Sequence, residues 1–291
     1  MLKHLLLLLL FLYSQAYANI EESQQGGNNK VIEAESFSLT FDLENATKQD
    51  LKLLALLQDQ AIFKKMSDFA ATNLKLKSDI LYTFHQGVKP FFGANQNEIF
   101  ISYAFLYQTY DYLRHKFSQQ GALSDKLFAF VIEKLLWVEL GRTLINQYEL
   151  PIIGEENISL DQFSTLMLIN LNDQDSEYLL DASETFLLLD DTSTLLSRLS
   201  FQSETELDER RYLLVLCLVL GKDYEKHTAL LDELSWDQSR LLQCQQHYRE
   251  QMNAWYEALQ PFLKYDNKFK SWLNLMRDVD VPTGVLIESG H

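Results

Sequence analysis

The chain reads as an α+β protein, mainly helical, with a small N-terminal β-sheet. Period-two alternation of apolar residues is confined to the part before residue 104, and helical spacing dominates after it. A hydrophobic content of 47% is ample for a packed core, and only four prolines and ten glycines interrupt 291 residues, which argues against low-complexity disorder.

Residues 1–18 have the layout of a secretory signal. Lys3 and His4 give a basic start, residues 5–12 an apolar core, and Ala16-Tyr17-Ala18 a small-x-small cleavage site ahead of Asn19. That core is far shorter than the about 20 residues a spanning helix needs, so cleavage between Ala18 and Asn19 is expected, leaving no stable membrane anchor. The expected location is periplasmic or secreted, with an uncleaved tether as the alternative. Residues 19–30, containing Gln24-Gln25-Gly26-Gly27-Asn28-Asn29, read as a flexible leader. One domain is expected over 31–264, with its sheet part at 31–103 and its helical part at 104–264, followed by a C-terminal tail at 265–291.

Within the sheet part, residues 31–42 alternate as a strand, and 49–73 carry Leu51, Leu54, Leu57, Ile62, Met66 and Phe69 at helical spacing. Residues 74–84 and 98–103 alternate again and flank a loop with Pro90, Gly93 and Asn95. Helices are expected at 104–118, 123–146, 159–171, 176–189, 207–220, 224–234 and 238–259. Ser159-Leu160-Asp161-Gln162 has the form of a capping box and would start the third of these. The aromatic run Tyr103, Phe105, Tyr107, Tyr110, Tyr112 and Phe117 has the spacing of a core face, with a binding surface as the alternative.

Charge narrows the partners. With 25 basic and 41 acidic side chains the formal net charge is −16, which repels nucleic acid and anionic lipid, so any charged partner is expected to be basic. Cys217 and Cys244 lie on helical stretches that antiparallel packing would bring together, and in an oxidising compartment a disulfide is expected. Two buried thiols are the alternative.

The segment with most chemical content is Leu135-Leu136-Trp137-Val138-Glu139-Leu140-Gly141-Arg142-Thr143-Leu144-Ile145. A zinc-protease helix places His at i and i+4 on one face, with Glu after the first His to take a proton from metal-bound water. Here those slots hold Val138, Glu139 and Arg142. After Leu150-Pro151-Ile152-Ile153-Gly154-Glu155-Glu156-Asn157 come Ser159-Leu160-Asp161-Gln162-Phe163. This resembles a family of exported bacterial putative metallopeptidases with the pattern HELGHALI, a Leu-Pro-x-x-Gly connection and an acidic run ending in Ala-Asp-x-Phe-Ala. The likeness extends over about 75–261, including Phe91-Phe92, 97–103, 211–221, 240–244 and Trp255.

The resemblance implies a zincin-like domain. It makes Val138, Arg142 and Asn157 the remnant metal-ligand positions, Glu139 the retained general-base position, and Asp161 a supporting carboxylate behind the ligands. With no imidazole among them, no metal and no other cofactor is expected. Glu156, one residue earlier, is the other oxygen donor of the acidic run. Glu139, Arg142, Thr143 and Asn146 share one helical face, which reads either as the wall of a cleft or as a solvated edge. Arg142 is placed to pair with Glu139 or Asp161, supplying positive charge where zinc would sit, or else forms an ordinary surface pair.

The leading expectation is therefore an exported pseudoenzyme that binds a peptide or protein partner. A residual zinc metallopeptidase using Glu139, Glu156 or Asp161 is the first alternative, and a structural helical exported protein the second. The histidines at 85, 115, 227, 247 and 291 are scattered, and no nucleophile elbow, phosphate loop or dinucleotide fingerprint is present.

Overall fold

The computed structural model describes residues 29–264 apart from 35–36, 60, 88–91, 96, 118–120, 153–154, 172–204 and 228–235. The expected signal, the helix at 176–189, most of 224–234 and the tail at 265–291 lie outside the described residues. What is described is mainly helical with one small sheet, as the sequence pattern requires.

Strands β1 (Asn29–Ala34), β2 (Phe37–Asp42), β3 (Ile80–His85), β4 (Phe92–Asn95) and β5 (Glu98–Ser102) form a sheet in the order β1-β2-β3-β5-β4. The three central strands run parallel, while β1 and β4 pair antiparallel on the two edges. Two expectations need correction here. Residues 31–42 are a hairpin rather than one strand, with Ala34 paired to Phe37, and β1 starts at Asn29, inside the expected leader. Strand β3 begins at Ile80, since Leu74 instead makes an isolated bridge to Leu263.

One face of the sheet is apolar because alternate residues point to it. Phe37, Leu39 and Phe41 of β2, Ile80, Tyr82 and Phe84 of β3, and Ile99 and Ile101 of β5 are all buried. Helices α1 (Lys48–Asp59) and α2 (Ile62–Asn73) complete the β2-to-β3 crossover. The single helix expected at 49–73 is broken at Ala61, whose left-handed φ of 54° an alanine adopts only at a cost of about 1 kcal/mol. A reciprocal cap starts α1: Thr47 N–H donates to Asp50 Oδ2 at 2.8 Å, and Asp50 N–H to Thr47 Oγ1 at 3.2 Å.

Helix α3 (Tyr103–Lys116) is capped by Ser102, which accepts from Phe105 N–H at 3.2 Å. Its aromatic run is mixed: Tyr103 and Phe105 are buried, and Tyr107 is exposed. Helix α4 (Gly121–Tyr148) lies against the sheet as the central element, with Trp137 fully buried edge-on to Phe69 of α2. The chain leaves α4 through Glu149, at φ 54°, and Leu150 N–H donates to Ile145 O at 3.1 Å, closing the end of the helix. Pro151 follows and cannot continue it.

Helix α5 (Glu156–Leu171) packs on α4 and is buried continuously from Leu160 to Ile169. It begins three residues before the expected capping box, so Ser159 lies inside the helix and does not cap it. Helices α6 (Thr205–Lys222) and α7 (Gln238–Leu259) cover its other side, and the disulfide Cys217–Cys244 joins them. Polar contacts tie α5 to this pair: Tyr248 Oη donates to Asn170 Oδ1 at 2.9 Å, Gln162 Nε2 lies 3.2 Å from His247 Nε2, and Lys222 Nζ donates to Ile169 O. Among the described residues no helix is long and apolar enough to cross a membrane.

Candidate functional site

The site lies along the α4/α5 seam. Helix α5 comes so close to α4 at Gly141 that a Cβ there would stand 2.7 Å from Phe163 Cδ1 and 3.0 Å from Leu160 Cδ2. A glycine is therefore needed for the crossing, and the crossing sets the first turn of α5 opposite Arg142. Arg142 Nη1 donates to Glu156 Oε1 at 2.7 Å, and its Nε lies 3.4 Å from Glu139 Oε2. One guanidinium thus serves carboxylates on two helices.

Glu139 is the less solvated of the two. Its side chain is 10% exposed against 48% for Glu156, and its Oε2 is buried without a hydrogen bond although Arg142 stands at ion-pair distance. Burial pushes the Glu139 carboxyl above its ordinary range; the Arg142 guanidinium opposes this, and Glu156 adds to the upward shift. Beneath it lies Tyr82 of β3, whose hydroxyl donates to Leu136 O at 3.0 Å. Burial, with the Glu139 charge second, pushes that phenol well above 10.0.

The polar face of α4 runs from inside to outside. Thr143 is buried and donates to Glu139 O at 2.9 Å, Arg142 is part-exposed, and Asn146 is exposed. Val138, one turn before Arg142, is buried at 6% exposure, and Asn157 is half-buried in the first turn of α5. Asp161 does not meet Arg142 or Glu139. Its partner is Lys134, with Nζ 3.7 Å from Asp161 Oδ1 and both side chains over 90% buried. It lies in the second turn of α5 rather than at the helix start.

These contacts fall inside a longer similarity. A family model described as "Putative metallopeptidase" matches residues 43–259, about three quarters of the chain. The chain belongs to that family. No curated protein and no solved structure matches it.

Membership in a putative metallopeptidase family implies a metal, and the donor set argues against zinc at the positions named above. Val138 has no donor atom, Arg142 is a permanent cation already shared between Glu139 and Glu156, and Asn157 is a neutral amide. Among the described residues no three His, Cys, Asp or Glu side chains gather closely enough to hold a metal ion.

Lys134, Glu133 and Tyr82 were not legible as parts of this site. The first two interrupt the apolar run of α4, and that interruption was the one available sign. Glu133, itself buried, pairs with the part-exposed Lys65 of α2 at 3.4 Å.

The shift at Glu139 has a measurable sign. Because the folded state holds this proton more tightly than the unfolded chain, stability falls as pH rises from about 4.5 through the folded value. Glu139→Gln removes the effect. Its melting temperature relative to the parent should move in the variant's favour as pH rises above 4.5, then level off. A flat difference across that window would count against a desolvated Glu139.

Proposed function

We propose that this member of the putative metallopeptidase family is an exported, zincin-like protein that no longer hydrolyses peptides and instead binds a peptide or protein partner. The observation that carries the reading is the Arg142 guanidinium, 2.7 Å from Glu156 and 3.4 Å from Glu139, standing where a second imidazole ligand would be needed. A cation at that place opposes binding of a second cation, and Val138 offers nothing to compensate.

Partner binding does not require the metal. Strand β4 is hydrogen-bonded to β5 on one side only among the described residues, and an edge of that kind accepts an extended peptide through main-chain bonds. The net charge of −16 favours a basic partner and long-range attraction to it.

A residual peptidase is favoured by one observation, the upward shift of Glu139, which moves a carboxylate toward the range suited to a general base. Protein purified without chelator should carry no stoichiometric zinc and should leave a mixed-sequence peptide library intact with zinc added. One retained equivalent of zinc, with cleavage abolished by a chelator, would establish the residual peptidase instead.

A further inference from the structure

Lys134, Val138 and Arg142 stand at i, i+4 and i+8 of α4 and so share one face. The carboxylates of Asp161 and Glu156 on α5 meet the two ends of this row, Asp161 at Lys134 and Glu156 at Arg142, while Glu139 approaches Arg142 from the same helix. We propose that Lys134 and Arg142 together replace the double positive charge of a metal ion, holding Asp161, Glu139 and Glu156 in place through the polypeptide itself. This inference rests on the reading that metal chemistry has been lost.

Charge and burial carry the argument. Three carboxylates lie along one helical seam in two separate groups, Asp161 at Lys134 and Glu139 with Glu156 at Arg142, and Glu139 and Asp161 are about nine-tenths buried. A carboxylate so buried costs free energy unless a cation lies beside it, and Glu156 adds its repulsion to the burial of Glu139. A divalent ion supplies two positive charges from one point. Here two monovalent side chains supply the same total from points one turn to either side of Val138, which itself contributes only apolar packing. The Lys134 side chain is 7% exposed, a burial lysine reaches almost only when paired. Were Asp161, Lys134 and Glu139 in ordinary surface ion pairs, their side chains would be solvated as that of Glu156 is, and their loss barely measurable.

The arrangement predicts what removal of each charge does. Arg142→Ala leaves Glu139 buried beside Glu156 without its guanidinium, and Lys134→Met takes the ammonium away from Asp161. Each should lower the melting temperature by about 5 °C or more, the response of a chain this size to losing one partner of a buried pair. Removing the stranded negative charge should reverse the loss: Arg142→Ala/Glu139→Gln and Lys134→Met/Asp161→Asn should each regain at least about half of it. Arg142→Lys, which keeps the charge but not the fork, should fall between parent and Arg142→Ala. Guanidinium chloride at low millimolar concentration should raise the melting temperature of Arg142→Ala above a sodium chloride control and leave the parent unchanged.

If Lys134→Met alone does not fold while its double variant with Asp161→Asn does, that too supports the proposal. Single variants within about 1 °C of the parent, or double variants whose losses simply add, overturn it. The two readings fail separately. Zinc retained by the unaltered protein defeats the lost-metal reading whatever the melting temperatures, whereas additive losses in a zinc-free protein defeat the charge replacement alone.

Discussion

Val138→His, Arg142→His and Asn157→Glu introduced together should give a protein that binds a single equivalent of zinc with a dissociation constant of about 1 μM or tighter, or roughly 8 kcal/mol. The two histidines would lie at i and i+4 on the face of α4 that meets the first turn of α5, where residue 157 sits half-buried. Without zinc this variant should be less stable than the parent, since it lacks the Arg142 guanidinium and gains a carboxylate. Zinc should then restore stability in proportion to its binding. Activity need not return, because the groups that would orient the new imidazoles are not built in. Comparison with Val138→His/Arg142→His separates two registers. Should the pair bind zinc as well as the triple, Glu156 is the third donor, in keeping with its present contact to residue 142. A folded triple variant that takes up no zinc shows that the ligand positions were mapped wrongly.

The second large effect is expected at Gly221. A Cβ there would stand 2.3 Å from Cys244 O and 2.7 Å from Cys244 C, both backbone atoms of α7 that cannot rotate away. Relief would require α6 and α7 to separate, and the Cys217–Cys244 bridge, with Cα atoms 4.8 Å apart, opposes this. Gly221→Ala should therefore destabilise by about 3 kcal/mol, at the upper end of overpacking costs. In a Cys217→Ser/Cys244→Ser background the same substitution should cost clearly less, because the helices can then part. Equal costs in the two backgrounds would show that the bridge does not hold this crossing shut. Chemical denaturation of the four proteins gives both numbers.

Much of the fold was readable because its signals are local. Helix α7 was expected at 238–259 and is Gln238–Leu259, its start marked by Asp237, which accepts from Arg240 N–H at 2.8 Å. The cysteine pairing was expected because antiparallel packing would bring two helical stretches together in an oxidising compartment, and the Cys217–Cys244 bridge is present. The β1/β2 hairpin was missed because Glu35-Ser36 carries none of the Asn-Gly or Gly-rich marks of a tight turn. The break between α1 and α2 was missed for a similar reason: Ala61 has no side-chain preference for the left-handed conformation it adopts. Ser159 misled because the capping pattern is specific only at a helix start, and here the helix had begun at Glu156.

The candidate site divides in the same way. Glu139 and Arg142 are neighbours by helical spacing alone, so their pairing could be expected from the sequence. The partnership of Asp161 with Lys134 depends on where α5 crosses α4, which is fixed by Glu149, Gly141 and the side chains of Leu160 and Phe163 acting together. No local pattern encodes that register. Of the two carboxylates expected for Arg142, Glu139 pairs with it, and the pairing of Asp161 with Lys134 is a tertiary outcome.

The Cys217–Cys244 bridge also changes what a cut in the chain means. A protease that severs one peptide bond between those two residues would leave fragments that migrate together until a reductant is added. The C-terminal fragment, carrying α7 with Trp255 packed against Phe163 of α5, would remain fastened to the rest by a covalent link that does not follow the backbone. Among neighbouring segments of this protein, α6 and α7 can therefore exchange continuity of sequence for a side-chain tether and still act as one mechanical piece.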